Sequence, residues 1–328
     1  MAAVPTTLSE TLDNLYSTTW RHRLKVLQDN IFDSMPFWFW MRDKGRLKTT
    51  AGGRDIAEPI QHAKADQVFW LTKGGTVTLN DFEFITTSKW NWRYQVGSIV
   101  RFFVDDQQNR GKSMILNFMN AKLENLKSAL SDDLEQRLFE GDNSATNKIS
   151  GLQHLVADDP TAAATVGGIT QNDNVFWRNK TSDETGNSFA TLGVSAMRTM
   201  FHNSSQNLGN SKPNIIVTGQ TPYERYEDFV LDSHYRTTSN KLADAGFDNQ
   251  TFKGVPMIWS PQCAATRMYF LNTDHITFRY DPIAFFDMTE WKPIPEQIND
   301  RAAQIITACA FTTSRRLTQG VLFNLDTA

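Results

Sequence analysis

Gly52–Leu71 is GGRDIAEPIQHAKADQVFWL and Thr76–Phe103 is TVTLNDFEFITTSKWNWRYQVGSIVRFF, and the two are joined by Thr72-Lys73-Gly74-Gly75. The glycines supply the positive φ that a tight reversal needs, so the stretch predicts a two-armed hairpin. Arms of roughly 15 residues would reach roughly 45 Å at about 3.3 Å per residue, against a usual strand of about 5–6 residues. A single domain does not easily cover such an arm, and its unpaired edges invite a second copy of the chain.

Asp105 and Asp106 follow as candidate caps of a helix predicted over 109–139. Its apolar stripe is Ile115, Met119, Leu123, Leu126, Leu130, Leu134 and Leu138, and Gly141 marks the stop. Before the hairpin, Leu8, Leu12, Leu15, Tyr16, Trp20, Leu24, Leu27 and Ile31 recur at helical spacing in an N-terminal arm. MPFWFWM (Met35–Met41) then loads bulky apolar groups onto one short segment. That run is far short of the roughly 20 residues that span a bilayer, so it predicts an anchor buried against this or a neighbouring subunit.

After the helix, polar DNSATNKIS (Asp142–Ser150) reads as a link to a second body. That body carries VGGI (Val166–Ile169), FWRN (Phe176–Asn179), a helix over 189–202 and the strand NIIVTG (Asn214–Gly219). A capping box of Thr221, Pro222 and Glu224 opens the next helix. A short hairpin around Gly246-Phe247 to Trp259, strands in MYFLNTDHITFRY and AFFDMTEW, and two terminal strands around Arg315 and Arg316 complete a mixed order, hence an α+β class.

The 328 residues suffice for two domains, and the net charge of −3 argues against a broad basic face for gripping nucleic acid. Cys263 and Cys309 are far apart in sequence and form no CxxC pair, so no disulfide framework or cysteine zinc site is expected. The N-terminus lacks a signal-peptide pattern, and no segment is apolar enough for a membrane. Gly111-Lys112-Ser113 is an incomplete phosphate loop, because Asp106 stands where the first glycine belongs. The six histidines, His22, His62, His154, His202, His234 and His275, show no metal-binding spacing, and Ser195 in GVSAM lacks the second glycine of a nucleophile elbow. No catalytic, cofactor or metal site is expected.

The ordered series is an aromatic arm, Gly52-Gly53 opening a hairpin, Lys73-Gly74-Gly75, a long helix ending in FEGD, VGGI, FWRN, the Thr221-Pro222 helix, Gly254-Val255-Pro256-Met257, MYFLN and Arg315-Arg316. It resembles the major capsid proteins of tailed double-stranded DNA bacteriophages, with the Hong Kong ninety-seven phage-type fold. The resemblance implies an arm over 1–48, an extended hairpin loop over 49–88, a peripheral domain over 89–150 with a spine helix over 109–139, an axial domain over 151–274, a return to the peripheral domain over 275–298 and C-terminal strands over 299–328. It implies self-assembly as hexamers and pentamers into an icosahedral head enclosing double-stranded DNA without sequence-specific binding. Partners would be a separate scaffolding protein, since the arm is short, with portal and decoration proteins. The location would be the virion, after assembly in the host cytoplasm. Lys64 and Lys73 match no crosslinking position. The residues expected between subunits are Ile56, Pro59, Phe69, Trp70, Gly74, Gly75, Phe82, Phe84 and Trp90 of the hairpin, with Trp38 and Trp40 of the aromatic run. Rival readings are an encapsulin-type compartment shell, a phosphate-loop NTPase using Lys112, and a tryptophan-rich carbohydrate-binding module.

Overall fold

The structure is a computed structural model that describes residues 36–64, 68–77, 81–104, 112–205, 211–232, 250–297 and 299–325. The N-terminal helix expected before residue 36, the Asp105-Asp106 cap, Gly111 of the phosphate-loop candidate and Gly246-Phe247 lie outside the described residues, as do the side chains of Ile115, Met119 and Leu123.

The aromatic run forms helix α1 (Pro36–Asp43) and buries Phe37, Trp38, Trp40 and Met41. Trp38 meets Phe278 edge to face at 4.8 Å, Phe37 lies 6.5 Å from Phe139, and the Trp40 indole N–H donates to Thr273 Oγ1 at 3.3 Å. The anchor is therefore set in its own subunit's core.

Strand β1 (Leu47–Thr49) leads to β2 (Asp55–Gln61), which pairs antiparallel with β3 (Ile85–Asn91) over seven positions, from Asp55↔Asn91 to Gln61↔Ile85. His62 N–H closes the ladder on Phe84 O at 3.0 Å. The described residues beyond it contain no strand, so the paired length is about 23 Å at 3.3 Å per residue rather than the expected 45 Å. The second arm also breaks at Trp92. Its remainder is a separate strand, β4 (Arg93–Arg101), which leaves the hairpin for a sheet.

The long helix is α2 (Lys112–Phe139), about 42 Å at 1.5 Å per residue. Leu130, Leu134 and Leu138 are buried, and Leu126 packs partly buried against them. Each fully buried leucine contributes about 1.5–3 kcal/mol. The helix rests on β4 at Gly97, where a Cβ would lie 2.9 Å from Leu126 Cδ1, so the missing side chain sets the close approach. The helix ends at Phe139 without a left-handed glycine, for Gly141 is not in the positive-φ region.

After α3 (Leu152–Leu155) come the two-residue strands β5 (Thr165–Val166) and β6 (Ile169–Thr170), which turn through Gly167 (φ +60°) and Gly168 (φ +76°). Then follow β7 (Lys180–Asp183), a π-turn over Phe189–Gly193, α4 (Val194–Ser205), β8 (Ile215–Thr218) and α5 (Gln220–Asp232). The capping box is displaced. The helix begins at Gln220, and Thr221 lies in its first turn with its N–H on Ala265 O at 3.2 Å. Gln220 rather than Thr221 reaches Glu224, at 2.8 Å, because the neighbouring 264–265 loop already serves the helix start.

Strands β9 (Gln250–Phe252), β10 (Val255–Trp259), β11 (Met268–Leu271), β12 (Ile276–Tyr280), β13 (Asp287–Met288), β14 (Lys292–Pro293), β15 (Arg301–Thr313) and β16 (Gly320–Phe323) complete the chain. AFFDMTEW yields only the short β13. Two six-stranded sheets result. In the first, the 13-residue β15 pairs with β4 on one side and with β12, β13 and β14 on the other, while β1 adds to β12 in parallel. The second runs β7-β16-β11-β8-β10-β9. The terminal block 299–328 thus divides between the sheets, with Arg315 and Arg316 at the crossing.

The second sheet is covered on both faces. Ile216, Met257, Phe270 and Leu322 face one cluster with Met197, Met200 and Phe201 of α4 and Tyr223 and Tyr226 of α5. Ile215, Val217, Ile258, Tyr269, Leu271 and Val321 face the main core shared with α1, α2 and the first sheet. Cys263 and Cys309 are free and buried, and burial pushes both thiols up to about 12, so neither is reactive in the folded chain.

Candidate assembly interface

The hairpin's inner face is Ile56, Glu58, Ile60, Ser88 and Trp90, all buried, on the period-two alternation of both strands. Glu58 accepts from Arg279 Nε at 2.9 Å and from Thr312 Oγ1 at 2.8 Å, so the ladder's carboxylate is tied to β12 and β15. Ser88 Oγ donates to Glu58 O at 3.4 Å and accepts from the Trp90 indole N–H at 3.0 Å. The base of the hairpin belongs to the subunit's own core.

The tip differs. Val68, Phe69, Trp70, Leu71, Val77, Phe84 and Ile85 are all exposed, with Trp70 fully so at 101%. This concentrates large apolar groups on one projecting segment, a pattern that marks an interaction surface. Of the residues expected between subunits, Phe69, Trp70, Gly74, Gly75, Phe84 and Pro59 are exposed, and Phe82 is half-buried with its ring 5.9 Å from Phe84. Ile56, Trp90, Trp38 and Trp40 are buried inside the subunit and present no surface to a neighbour. That corrects the expectation for these four, because alternation turns Ile56 and Trp90 inward and the anchor helix packs on its own sheet. Val68, Leu71, Val77 and Ile85 join the exposed set, and alternation continued from Ile56 and Ile60 would have found Ile85 as an outward position.

A second apolar surface lies beside β4. Ser98, Ile99, Val100, Lys122, Asn125, Leu126 and Ala129 line a cleft of about 450 Å³ between strand and helix. Tyr94 and Val96 are exposed on the same strand.

Deeper in the chain, Arg316 is fully buried at the crossing between sheets. Its Nε donates to Leu155 O at 2.7 Å, Nη1 to Gln171 Oε1 and Trp177 O, both at 3.0 Å, and Nη2 to Asn179 Oδ1 at 3.0 Å. Burial pushes the guanidinium down to about 9, which still leaves it a cation at neutral pH. The FWRN motif supplies two of the acceptors, Trp177 and Asn179.

Two histidines are held below their ordinary value. Burial does this at His154, with Arg316 acting in the same sense and Asp142 opposing. At His275 burial is joined by Arg315 and Arg46, against Asp274. The unfolded chain therefore takes up protons below about pH 6.5 that the folded chain does not, so stability is full above that pH and falls as acid is added. Urea midpoints at pH 7.5 and 5.5 are expected to differ, and His154→Asn with His275→Asn to remove most of the difference. An equal drop in the double variant would show that other groups carry it.

Among the described residues no group of His, Cys, Asp and Glu could hold a metal ion, and no helix is long and apolar enough to cross a membrane. Lys112 and Ser113 open α2 beyond the described side chains.

No protein-family model and no curated protein matches the chain. Solved structures do. The capsid asymmetric unit of cyanophage A-1(L) superposes with a TM-score of 0.63 at 16% identity, over 86% of this chain and 90% of that one. The capsid of Myoviridae phage XM1 gives 0.54 at 12% identity, over 87% and 92%. The holo-SrpI encapsulin complex of Synechococcus elongatus gives 0.52 at 11%, over 88% and 87%. The chain is similar to these over 86–88% of its length, and its fold is the Hong Kong ninety-seven phage-type fold of phage major capsid proteins.

Proposed function

We propose that this chain is a major capsid subunit that self-assembles, as hexamers and pentamers, into an icosahedral head enclosing double-stranded DNA. The observation that carries the reading is the hairpin: a base locked into the body and an apolar tip exposed beyond it, on a fold shared with shell-forming subunits. The tip lies on an adjacent copy, and many such contacts per shell multiply a modest affinity. The protein is structural, without a catalytic step. The first sheet with α2 forms the peripheral domain, and the second sheet with α4 and α5 the axial domain. A separate scaffolding protein, a portal and decoration proteins are the partners, and the product is the virion wall, built in the host cytoplasm. The net charge of −3 suits a wall that does not hold packaged DNA tightly.

Negative-stain microscopy of the purified chain, alone and with the products of neighbouring genes, is expected to show closed shells. A chain that stays monomeric in both preparations overturns the proposal. The similarity to an encapsulin favours one second reading, a cellular compartment shell. Nuclease-protected DNA inside the particles supports a phage head, whereas protein cargo without DNA supports the compartment.

A further inference from the structure

The β5–β6 turn reaches across the molecule to the base of the hairpin. Gly167 O accepts the Lys89 N–H at 2.8 Å. A Cβ on Gly167 would stand 2.8 Å from Trp90 Cζ2, 3.0 Å from Cε2 and 3.2 Å from Ser88 Cβ, so the Trp90 ring lies directly on the bare glycine. The turn is itself fixed, because the buried Trp177 indole donates to Val166 O at 2.9 Å and Trp177 O accepts from Arg316. The hairpin therefore has three supports, the first sheet through Glu58, the turn through Trp90, and Phe176, whose ring lies 5.2 Å from that of His62 at the end of the ladder. Beyond them, the described residues past His62 make no ladder bond to the body or to each other.

We propose that this turn is a seat that sets the angle at which the hairpin leaves the body, and so where its tip lands on a second copy. Gly167 and Trp90 are the positioning residues. The assignment rests on the assembly reading above. Supports at Trp90, Glu58 and His62 on one short ribbon fix its direction: a displacement at Trp90 tilts the ladder, and the shift grows toward Trp70. Glycine is required twice over at 167, by its left-handed φ of +60° and by the ring, whereas Gly168 shares the left-handed backbone (φ +76°) but meets Lys89 Cβ only at an ordinary 3.7 Å. The pair separates backbone strain from displacement of the seat.

The test compares Gly167→Ala with Gly168→Ala in the full chain. Spin labels at Lys73→Cys near the tip and Asn203→Cys on α4 report the hairpin angle in the subunit, and both native thiols are too deeply buried to take label. Particle diameter is read by electron microscopy. Gly167→Ala is expected to move the mean label distance by about 3 Å, roughly the rise of one strand residue, and to change or broaden the particle diameter. Gly168→Ala should keep both at the parent values. Should Gly167→Ala fail to fold, Trp90→Phe, which removes the ring atoms facing Gly167, is expected to shift the same distance. Unchanged distance and diameter in Gly167→Ala and Trp90→Phe overturn the proposal, as does an equal shift in Gly168→Ala, which would assign the effect to strain. If the parent chain forms no particles the assembly reading fails, while the label distance still decides whether the turn sets the angle.

Discussion

Arg316→Ala is expected to destabilise the subunit by about 3–5 kcal/mol, much of the roughly 5–15 kcal/mol that holds a typical domain folded. The guanidinium satisfies four buried oxygens on three separate segments: Leu155 O, Gln171 Oε1, Trp177 O and Asn179 Oδ1. Truncation strands three of them, since Asn179 Oδ1 keeps the Ala157 N–H at 3.1 Å, and each orphaned buried acceptor costs about 1–3 kcal/mol before relaxation or water entry. Arg316→Met tests the source of the loss. It restores most of the volume but none of the donors, so it should remain nearly as damaging as alanine. Arg316→Lys should recover part, since an ammonium offers three donors but lacks the flat fork that reaches opposite sides of the site. Urea denaturation of purified subunits reads the series. A midpoint for Arg316→Met equal to that of the parent would show that the site needs volume rather than donors.

Arg316 also shows where the sequence stops being informative. Arg315-Arg316 is visible in the sequence only as the break between two terminal strands. The four acceptors come from helix α3, the residue after β6 and the FWRN motif, so only the tertiary crossing of β15 and β16 places them around one side chain. The stripe Leu130, Leu134 and Leu138 was legible because helical periodicity is local, and NIIVTG because a short apolar run before a polar helix start is local too. The length of the hairpin was not. Apolar Trp90, Trp92, Tyr94 and Val96 alternate without a break, yet the pairing partner changes at Trp92 from β2 to β15. Periodicity shows that residues are extended but cannot name the strand beside them. The same limit explains the four tryptophan and isoleucine positions expected outside and found inside. Bulk and aromaticity mark a contact without saying which chain supplies the other half.

Replacing residues 63–83 with Asn-Gly is expected to leave a folded subunit that forms no particles. The cut is fixed by the ladder: His62 and Phe84 are its last bonded pair, and a two-residue turn with two left-handed positions closes such a pair without splaying the strands. A wider deletion from residue 51 to 87 would instead remove Ile56, Glu58 and Ile60, and with them core volume and the carboxylate held by Arg279, so its failure to assemble would mean only that it cannot fold. The narrow cut removes Phe69, Trp70, Leu71 and Val77, all exposed, and among the described residues spares every buried hairpin position. Its urea midpoint should stay within about 1 kcal/mol of the parent, in the range of changes that leave the core intact. Particle yield should fall at least a hundredfold, because each subunit loses its apolar contact and closed shells magnify a small loss per contact. Trp70→Asp, a single change at a fully exposed position, should reproduce the defect in part without touching stability. Normal shells from the shortened chain would place the subunit contact elsewhere, with the cleft between β4 and α2 the next surface to truncate.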